Sequence, residues 1–97
     1  MKKYYVYILH CADGSYYTGV TNDPERRLSE HEVGEDVLAY THARRPVRLV
    51  WQEDFQTPLT AIAVEKQIKG WSRRKKEALI NGRYDLLPDL SKSTKRN

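Results

Sequence analysis

The sequence predicts an α+β fold, in which a three-stranded antiparallel sheet is flanked by helices in the order strand, strand, helix, strand, helix, helix. Residues 4–10, 16–20 and 47–55 are rich in aromatic and β-branched side chains, which is typical of strands. Capping residues precede three segments of helical character. The 97 residues are enough for one hydrophobic core and not comfortably enough for two. We therefore expect a single domain over residues 1–88 and a disordered basic tail over residues 89–97.

The first two strands should form an antiparallel hairpin around an Asp13-Gly14 turn. A two-residue loop would put Tyr7 and Tyr17 on opposite faces of the sheet. A three-residue loop, with Gly14 in the left-handed conformation, would place Tyr7 opposite Gly19. Tyr17 would then lie diagonal to Tyr7 on the same face. We favour the three-residue loop.

Caps and breakers predict the three helices. Asn22, followed three residues later by Glu25, has the form of a capping box for a helix that ends near Gly34. A loop over residues 35–46 should connect this helix to the third strand. The two later helices are predicted over residues 58–69, capped by Thr57, and residues 73–80, capped by Ser72.

The charge of the chain is unevenly distributed. There are 17 lysines and arginines against 13 aspartates and glutamates, so the net charge is +4. Residues 1–40 carry 4 basic and 7 acidic side chains, whereas residues 41–76 carry 9 basic and 3 acidic ones. The basic surplus favours an acidic partner.

Cysteine and hydropathy patterns exclude several classes of protein. The single cysteine, Cys11, allows no internal disulfide framework and fits a reducing cytoplasm. The apolar runs are only a few residues long, so neither a transmembrane helix nor a signal peptide is expected. Cys11 and the three histidines do not have the spacing of zinc ligands.

The segment from Lys66 to Lys76 holds six cations and no acid. Four of these cations occupy the first turns of the third predicted helix, where the helix dipole disfavours each by about 0.3–1 kcal/mol. A charge run is usually a solvated face, but this placement favours an external anion such as a phosphate backbone. The predicted nucleic-acid-binding residues are Arg44, Arg45, Lys66, Lys69, Arg73, Arg74, Lys75 and Lys76.

Glu65 lies on or beside the apolar stripe of the second predicted helix, because Ala61 and Ile68 fall four residues before it and three after it. One interpretation is a border residue that reaches solvent or bridges to Lys69. The other is a ligand for Mg²⁺ or Mn²⁺, since a carboxylate near the core needs a cationic partner.

Arg27, His31 and the tyrosines have structural and functional interpretations as well. Arg27 either belongs to a solvent-exposed pair of arginines or binds a phosphate group through two of its N–H donors. His31 lies on the same helix face as Arg27. Tyr7 and Tyr17 are either packed strand aromatics or general bases. A phenol acts as a base only when a nearby cation lowers its pKa from about 10.

Taken together, these residues resemble the GIY-YIG nuclease superfamily, most closely its small stand-alone bacterial branch. The likeness covers about residues 4–80. It rests on two triplets, Tyr5-Val6-Tyr7 and Tyr17-Thr18-Gly19, followed by Arg27, His31 and Glu65 in order. Tyr5 stands where the family has glycine, Thr18 replaces a usual apolar residue, and Val20 stands where some branches have lysine.

The resemblance implies metal-dependent hydrolysis of nucleic-acid phosphodiesters, with DNA a more expected substrate than RNA. Tyr7 or Tyr17 would deprotonate or orient the attacking water, and we favour Tyr7. Arg27 would stabilise the pentavalent phosphate and His31 would assist by positioning or proton transfer. Glu65 would hold one Mg²⁺ or Mn²⁺ ion.

Three functions remain open from sequence. The first is an endonuclease of DNA repair or recombination that prefers branched or single-stranded substrates. The second is a non-catalytic nucleic-acid-binding module on the same fold, and the third is a domain whose basic segment binds an acidic protein. Since no targeting domain is expected in this chain, specificity would be low, would depend on DNA structure, or would come from a partner protein.

Overall fold

The computed structural model describes residues 3–34 and 40–87 and has the predicted order of elements. The strands are β1 (Tyr4–Cys11), β2 (Tyr16–Thr21) and β3 (Val47–Phe55), and the helices are α1 (Pro24–Val33), α2 (Pro58–Lys69) and α3 (Arg73–Ile80). Short 3₁₀ turns follow at His42–Arg44, inside the predicted loop, and at Tyr84–Leu86. The α+β prediction is therefore confirmed. The predicted disordered tail and residues 35–39 of the predicted loop lie outside the described residues.

The sheet has the strand order β2-β1-β3, and both strand pairs are antiparallel. Tyr7 pairs with Gly19, and Leu9 pairs with Tyr17. Gly14 has φ 88°, as a left-handed turn glycine requires. This confirms the favoured register, so Tyr7 and Tyr17 lie on one face of the sheet.

Helices cover both faces of the sheet. On one face Tyr7, Leu9, Cys11 and Val47 form a small core, to which Leu28 of α1 adds. On the other face Val6 and Ile8 pack against α2 and α3 through Ala61, Ile68 and Leu79. Val6 and Tyr7 of the first triplet therefore lie in different cores, and β2 is an edge strand of the sheet.

The helix ends are set largely by the predicted caps, with one correction. Thr57 and Ser72 accept hydrogen bonds from the backbone N–H groups of Thr60 and Lys75, as N-caps do. The cap of α1 is Asp23 and not Asn22, because the Asp23 carboxylate accepts from the backbone N–H of Arg26 at 3.2 Å. Both residue types are good caps, and Pro24 at the first helical position places Asp23 immediately before the helix.

Helix α3 does not expose all four of the cations that were predicted to bind nucleic acid. Lys75 is only 3% exposed, and its ammonium group lies 4.0 Å from the centre of the Trp71 ring. It shares a helix face with buried Ala78 and Leu79, three and four residues further on. Burial lowers the pKa of Lys75 below its ordinary value. Lys75 therefore stabilises the packing of α3 and is withdrawn from the predicted nucleic-acid surface.

The longest described helix, α2, has 12 residues. In the part of the chain that the structure describes, no helix has the length and apolar character needed to cross a membrane.

Candidate active site at the edge of the sheet

The site is built around a buried chain of three side chains. The hydroxyl oxygen of Tyr7 lies 3.1 Å from Nε2 of His31, and Nδ1 of His31 lies 2.6 Å from the hydroxyl oxygen of Thr41. Tyr7, His31 and Thr41 are 2%, 5% and 1% exposed. The strand β1, the helix α1 and the start of the 3₁₀ turn thus each contribute one member. Tyr7 and His31 were predicted from the sequence, and Thr41 was not.

Gly19 makes room for the Tyr7 ring. A Cβ atom at this position would lie 2.5 Å from the Tyr7 hydroxyl oxygen, far inside contact distance. No positive φ is involved, so the requirement for glycine here is one of space. The closing glycine of the second triplet therefore serves the tyrosine of the first.

Arg27 supplies positive charge to this cluster. Its guanidinium pairs with Glu30 at 2.8 Å and also acts on the Tyr7 hydroxyl, where it favours the deprotonated phenol. Burial and the neighbouring Tyr17 outweigh that effect and raise the pKa of Tyr7 to about 12. Tyr7 is thus a neutral phenol at pH 7. Burial and the Arg27 charge lower the pKa of His31, so its imidazole is also neutral.

Tyr17 lies between the buried side chains of Tyr7 and His31 on one side and the ring of Tyr40 on the other. Its ring centre lies 6.2 Å from that of Tyr7 and 5.1 Å from that of His31. Tyr40 stacks on the outer side of the cluster, 5.9 Å from Tyr17 with the planes 26° apart. Tyr40 had no predicted role, because only the return of the chain after α1 brings it to the sheet edge.

Arg44 and Arg45, which were predicted to bind nucleic acid, have partners within the protein. Arg44 pairs with Asp13 at 2.9 Å, donates to the backbone carbonyl of Tyr40 at 2.8 Å and lies 3.9 Å above the Tyr40 ring. Arg45 donates to the backbone carbonyls of His42 and Glu32, the latter near the end of α1. Both arginines therefore hold the segment that carries Tyr40 and Thr41 in place.

Glu65 reaches the site from the other side of the sheet. It is 8% exposed, and its carboxylate pairs with Lys69 at 2.7 Å. The ammonium group of Lys69 lies 5.9 Å from the centre of the Tyr17 ring, so Lys69 links Glu65 to the tyrosine cluster around the edge of β2. Of the predicted catalytic residues, Tyr7, Tyr17, Arg27 and His31 are in one cluster, and Glu65 is joined to it through this lysine.

The Glu65 carboxylate is a suitable ligand for a hard divalent cation but supplies only part of a coordination shell. A Mg²⁺ ion typically takes one or two carboxylates and completes its shell with water and substrate phosphate. Within residues 3–34 and 40–87 there is no group of three or more acidic, histidine or cysteine side chains that could hold a metal on its own. Glu65 supplies a single carboxylate, and its partner in the structure is the Lys69 ammonium group.

A pocket of about 290 Å³ opens beside Tyr17 at this edge. Lys69 and Lys76 lie at it, and burial together with the Lys69 charge lowers the pKa of Lys76. Two lysines held this close favour an anion between them. The residues that line the pocket are Tyr16, Tyr17, Thr18, Tyr40, Lys69 and Lys76.

The other predicted nucleic-acid-binding cations differ in availability. Lys66 and Arg74 are exposed. Arg73 pairs with Glu77 at 3.0 Å and donates to the backbone carbonyl of Gly14 at 2.7 Å, so it fastens α3 to the hairpin. The exposed basic surface next to the pocket is thus smaller than the sequence indicated.

The chain is similar in sequence to known proteins. The GIY-YIG catalytic domain family matches residues 3–78. A UPF0213 protein of Staphylococcus saprophyticus is 48% identical over 84% of this chain and 98% of its own length, and one of Haloquadratum walsbyi is 46% identical over 86% and 92%.

Two structures determined by NMR in solution are also similar. A UPF0213 protein from Bacillus halodurans aligns with a TM-score of 0.53 and 46% identity, over 81% of this chain and 83% of that one. A protein from E. faecalis aligns with a TM-score of 0.60 and 39% identity, over 87% and 88%. Because the family model matches residues 3–78, which is most of the chain, and relatives are 46–48% identical over more than four fifths of it, this protein belongs to the GIY-YIG family.

Proposed function

We propose that this protein is a divalent-metal-dependent endonuclease that hydrolyses phosphodiester bonds in nucleic acid. Its substrate would be DNA rather than RNA, with a preference for branched or single-stranded regions. It would act in DNA repair or recombination in the cytoplasm. The observation that carries the proposal is the buried contact between Tyr7 and His31 under the charge of Arg27, next to a pocket with two lysines. Such a network, when its hydrogen bonds are satisfied, is rigid, and it can hold a phenol in a defined position beside the pocket.

Tyr7 would orient the attacking water and accept its proton. At pH 7 the free protein holds Tyr7 as a neutral phenol, because its pKa is raised to about 12. The phenol therefore begins as a hydrogen-bonding group and loses its proton only when further positive charge assembles around it. Tyr17, whose ring packs against Tyr7, would fix the position of the water.

Arg27 would stabilise the negative charge that develops on the pentavalent phosphate. Its guanidinium is held by Glu30, and a fork of N–H donors matches phosphate oxygens well. The Arg27 side chain is 40% exposed, which leaves donors free to meet a substrate. His31 would position the Tyr7 hydroxyl and assist proton transfer at that oxygen.

Glu65 would hold the Mg²⁺ or Mn²⁺ ion. When bound, such an ion supplies positive charge to the phosphate and to the leaving oxygen. The pocket beside Tyr17 would receive the nucleic-acid backbone, with Lys69 and Lys76 as its phosphate contacts. Lys66 and Arg74 would extend this contact, and a partner protein would supply targeting.

One observation favours a second function, that of a non-catalytic nucleic-acid-binding module. The carboxylate of Glu65 already has a cationic partner in Lys69, at 2.7 Å. In such a module the basic pocket would bind phosphate, and the tyrosine cluster would only support the fold.

A cleavage assay separates the two functions. Branched, nicked and single-stranded DNA, with RNA of the same sequence, would be incubated with Mg²⁺, with Mn²⁺ and with chelator. We expect DNA cleavage that chelator abolishes and that Glu65→Gln removes. The matched control is Glu53→Gln, at an exposed position of β3, which should cleave normally.

Two results would contradict the proposal. Cleavage that survives Glu65→Gln would refute the metal assignment. Salt-sensitive binding without cleavage of any substrate would refute the nuclease and support the binding module.

A further inference from the structure

The hydroxyl group of Thr41 has an unusually defined environment. Thr41 is 1% exposed, and among the described residues the only hydrogen-bond partner of its side chain is Nδ1 of His31, at 2.6 Å. The backbone around it is fixed, because the Arg44 N–H donates to the Thr41 carbonyl and the Ala12 N–H donates to the Arg44 carbonyl. The 3₁₀ turn is thereby tied to the β1–β2 hairpin, and Thr41 is presented to His31 from a rigid support.

A neutral imidazole donates from one ring nitrogen and accepts at the other. Two arrangements therefore satisfy the contacts of His31. In the first, the Thr41 hydroxyl donates to Nδ1, and the N–H at Nε2 donates to the Tyr7 oxygen. In the second, the N–H at Nδ1 donates to Thr41, and the Tyr7 hydroxyl donates to Nε2.

The surroundings of Thr41 decide between these arrangements. If Thr41 accepted from Nδ1, its own hydroxyl proton would be buried without an acceptor within the described part of the chain. An unpaired buried donor costs about 1–3 kcal/mol, whereas an unused lone pair on a hydroxyl oxygen costs less. The distance of 2.6 Å is also at the short end of the range expected for a hydroxyl donor.

We propose that Thr41 is a positioning residue whose hydroxyl donates to Nδ1 of His31 and so keeps the imidazole proton on Nε2, where it is donated to the Tyr7 oxygen. The catalytic consequence of this hydrogen bond rests on the proposed nuclease function, whereas the assignment of the tautomer is independent of it. With Nε2–H and Arg27 both acting on its oxygen, Tyr7 can direct its own proton away from His31. In the other tautomer the Tyr7 hydroxyl would donate to Nε2, and its proton would point toward His31 instead of toward the attacking water.

The direct test is the ¹⁵N NMR spectrum of His31 in the full-length protein at neutral pH, with no substrate or metal. We expect the Nε2 resonance in the protonated range and the Nδ1 resonance in the unprotonated range. The reverse pattern in the wild-type protein would overturn the proposal without any variant being made.

Variants test the role of the hydroxyl group. Thr41→Val, which keeps the shape and removes the hydroxyl, should populate the other tautomer, and Thr41→Ser should restore the wild-type pattern. The matched control is Thr18→Val, because Thr18 is also a buried threonine of the described chain but its hydroxyl has no partner there. It should leave both His31 resonances unchanged. Unchanged resonances in Thr41→Val would refute the assignment.

Cleavage kinetics separate a positioning role of Thr41 from a purely structural one, because only the former would lower kcat without changing KM. We expect Thr41→Val to lower kcat by about 10- to 100-fold with little change in KM, by analogy with the loss of a partner that orients a metal-ligating histidine. Equal losses in Thr41→Val and Thr41→Ser would contradict the proposal. If no cleavage is found for the wild type, the proposed function fails, and the NMR result still stands or falls by itself.

Discussion

Replacing Gly19 with alanine tests the packing that creates the site. The new Cβ would lie 2.5 Å from the Tyr7 hydroxyl oxygen, 2.6 Å from Cζ and 2.9 Å from Cε1. Since comfortable contacts between heavy atoms lie at about 3.5–4.0 Å, the ring must move by about 1 Å. Tyr7 is 2% exposed and its hydroxyl contacts His31, so this movement would disturb buried neighbours.

We expect Gly19→Ala to lower the free energy of unfolding by about 1–3 kcal/mol, as other overpacked cores do. For a domain of this size, each kcal/mol corresponds to a fall of about 4–8 °C in Tm. Movement of the Tyr7 hydroxyl by about 1 Å should also reduce cleavage by about 100-fold. Thermal denaturation followed by circular dichroism, and cleavage of the preferred substrate, would measure the two effects.

The matched control is Gly70→Ala. Gly70 has φ −82°, and an added Cβ there would meet nothing nearer than 3.6 Å. This substitution should leave the free energy of unfolding unchanged or raise it by about 0.4–1 kcal/mol. If Gly19→Ala has the same Tm and activity as Gly70→Ala, the steric account of the site is wrong.

Three further predictions follow from buried and charged groups. Thr18→Val should raise the free energy of unfolding by about 1 kcal/mol in denaturant titrations, because it removes a buried hydroxyl without a partner in the described chain. The pKa of His31 is lower in the folded protein than in the unfolded chain, so the unfolded chain binds a proton at a higher pH. The free energy of unfolding should therefore fall as the pH drops below about 6.5, and it should fall less in His31→Gln. Lys76→Ala should weaken DNA binding and reduce its salt slope by about one, whereas Arg83→Ala, at an arginine paired with Asp85, should not.

The fold was predictable because its signals are local. Aromatic and β-branched runs define the strands, and Thr57 and Ser72 are caps that precede their helices directly. The hairpin register followed from the position of Gly14. The one wrong cap, Asn22 for Asp23, arose because two good capping residues are adjacent and pattern alone does not separate them.

The site was only partly predictable because some of its residues act through contacts between distant segments. Tyr7, Tyr17 and His31 could be placed from register and helix spacing. Thr41 and Tyr40 belong to a connection without periodicity, and only the folded chain brings them to the sheet edge. The burial of Lys75 did have a signal, its spacing to Ala78 and Leu79, which the run of charge concealed.

The central claim is that the Tyr7 hydroxyl takes part in hydrolysis, and single-turnover cleavage by Tyr7→Phe tests it most directly. This change removes one oxygen atom and keeps the buried ring. We predict a rate constant lowered by about 100-fold or more, the usual contribution of a general base, with substrate binding unchanged. Cleavage by Tyr7→Phe at the wild-type rate would contradict the account.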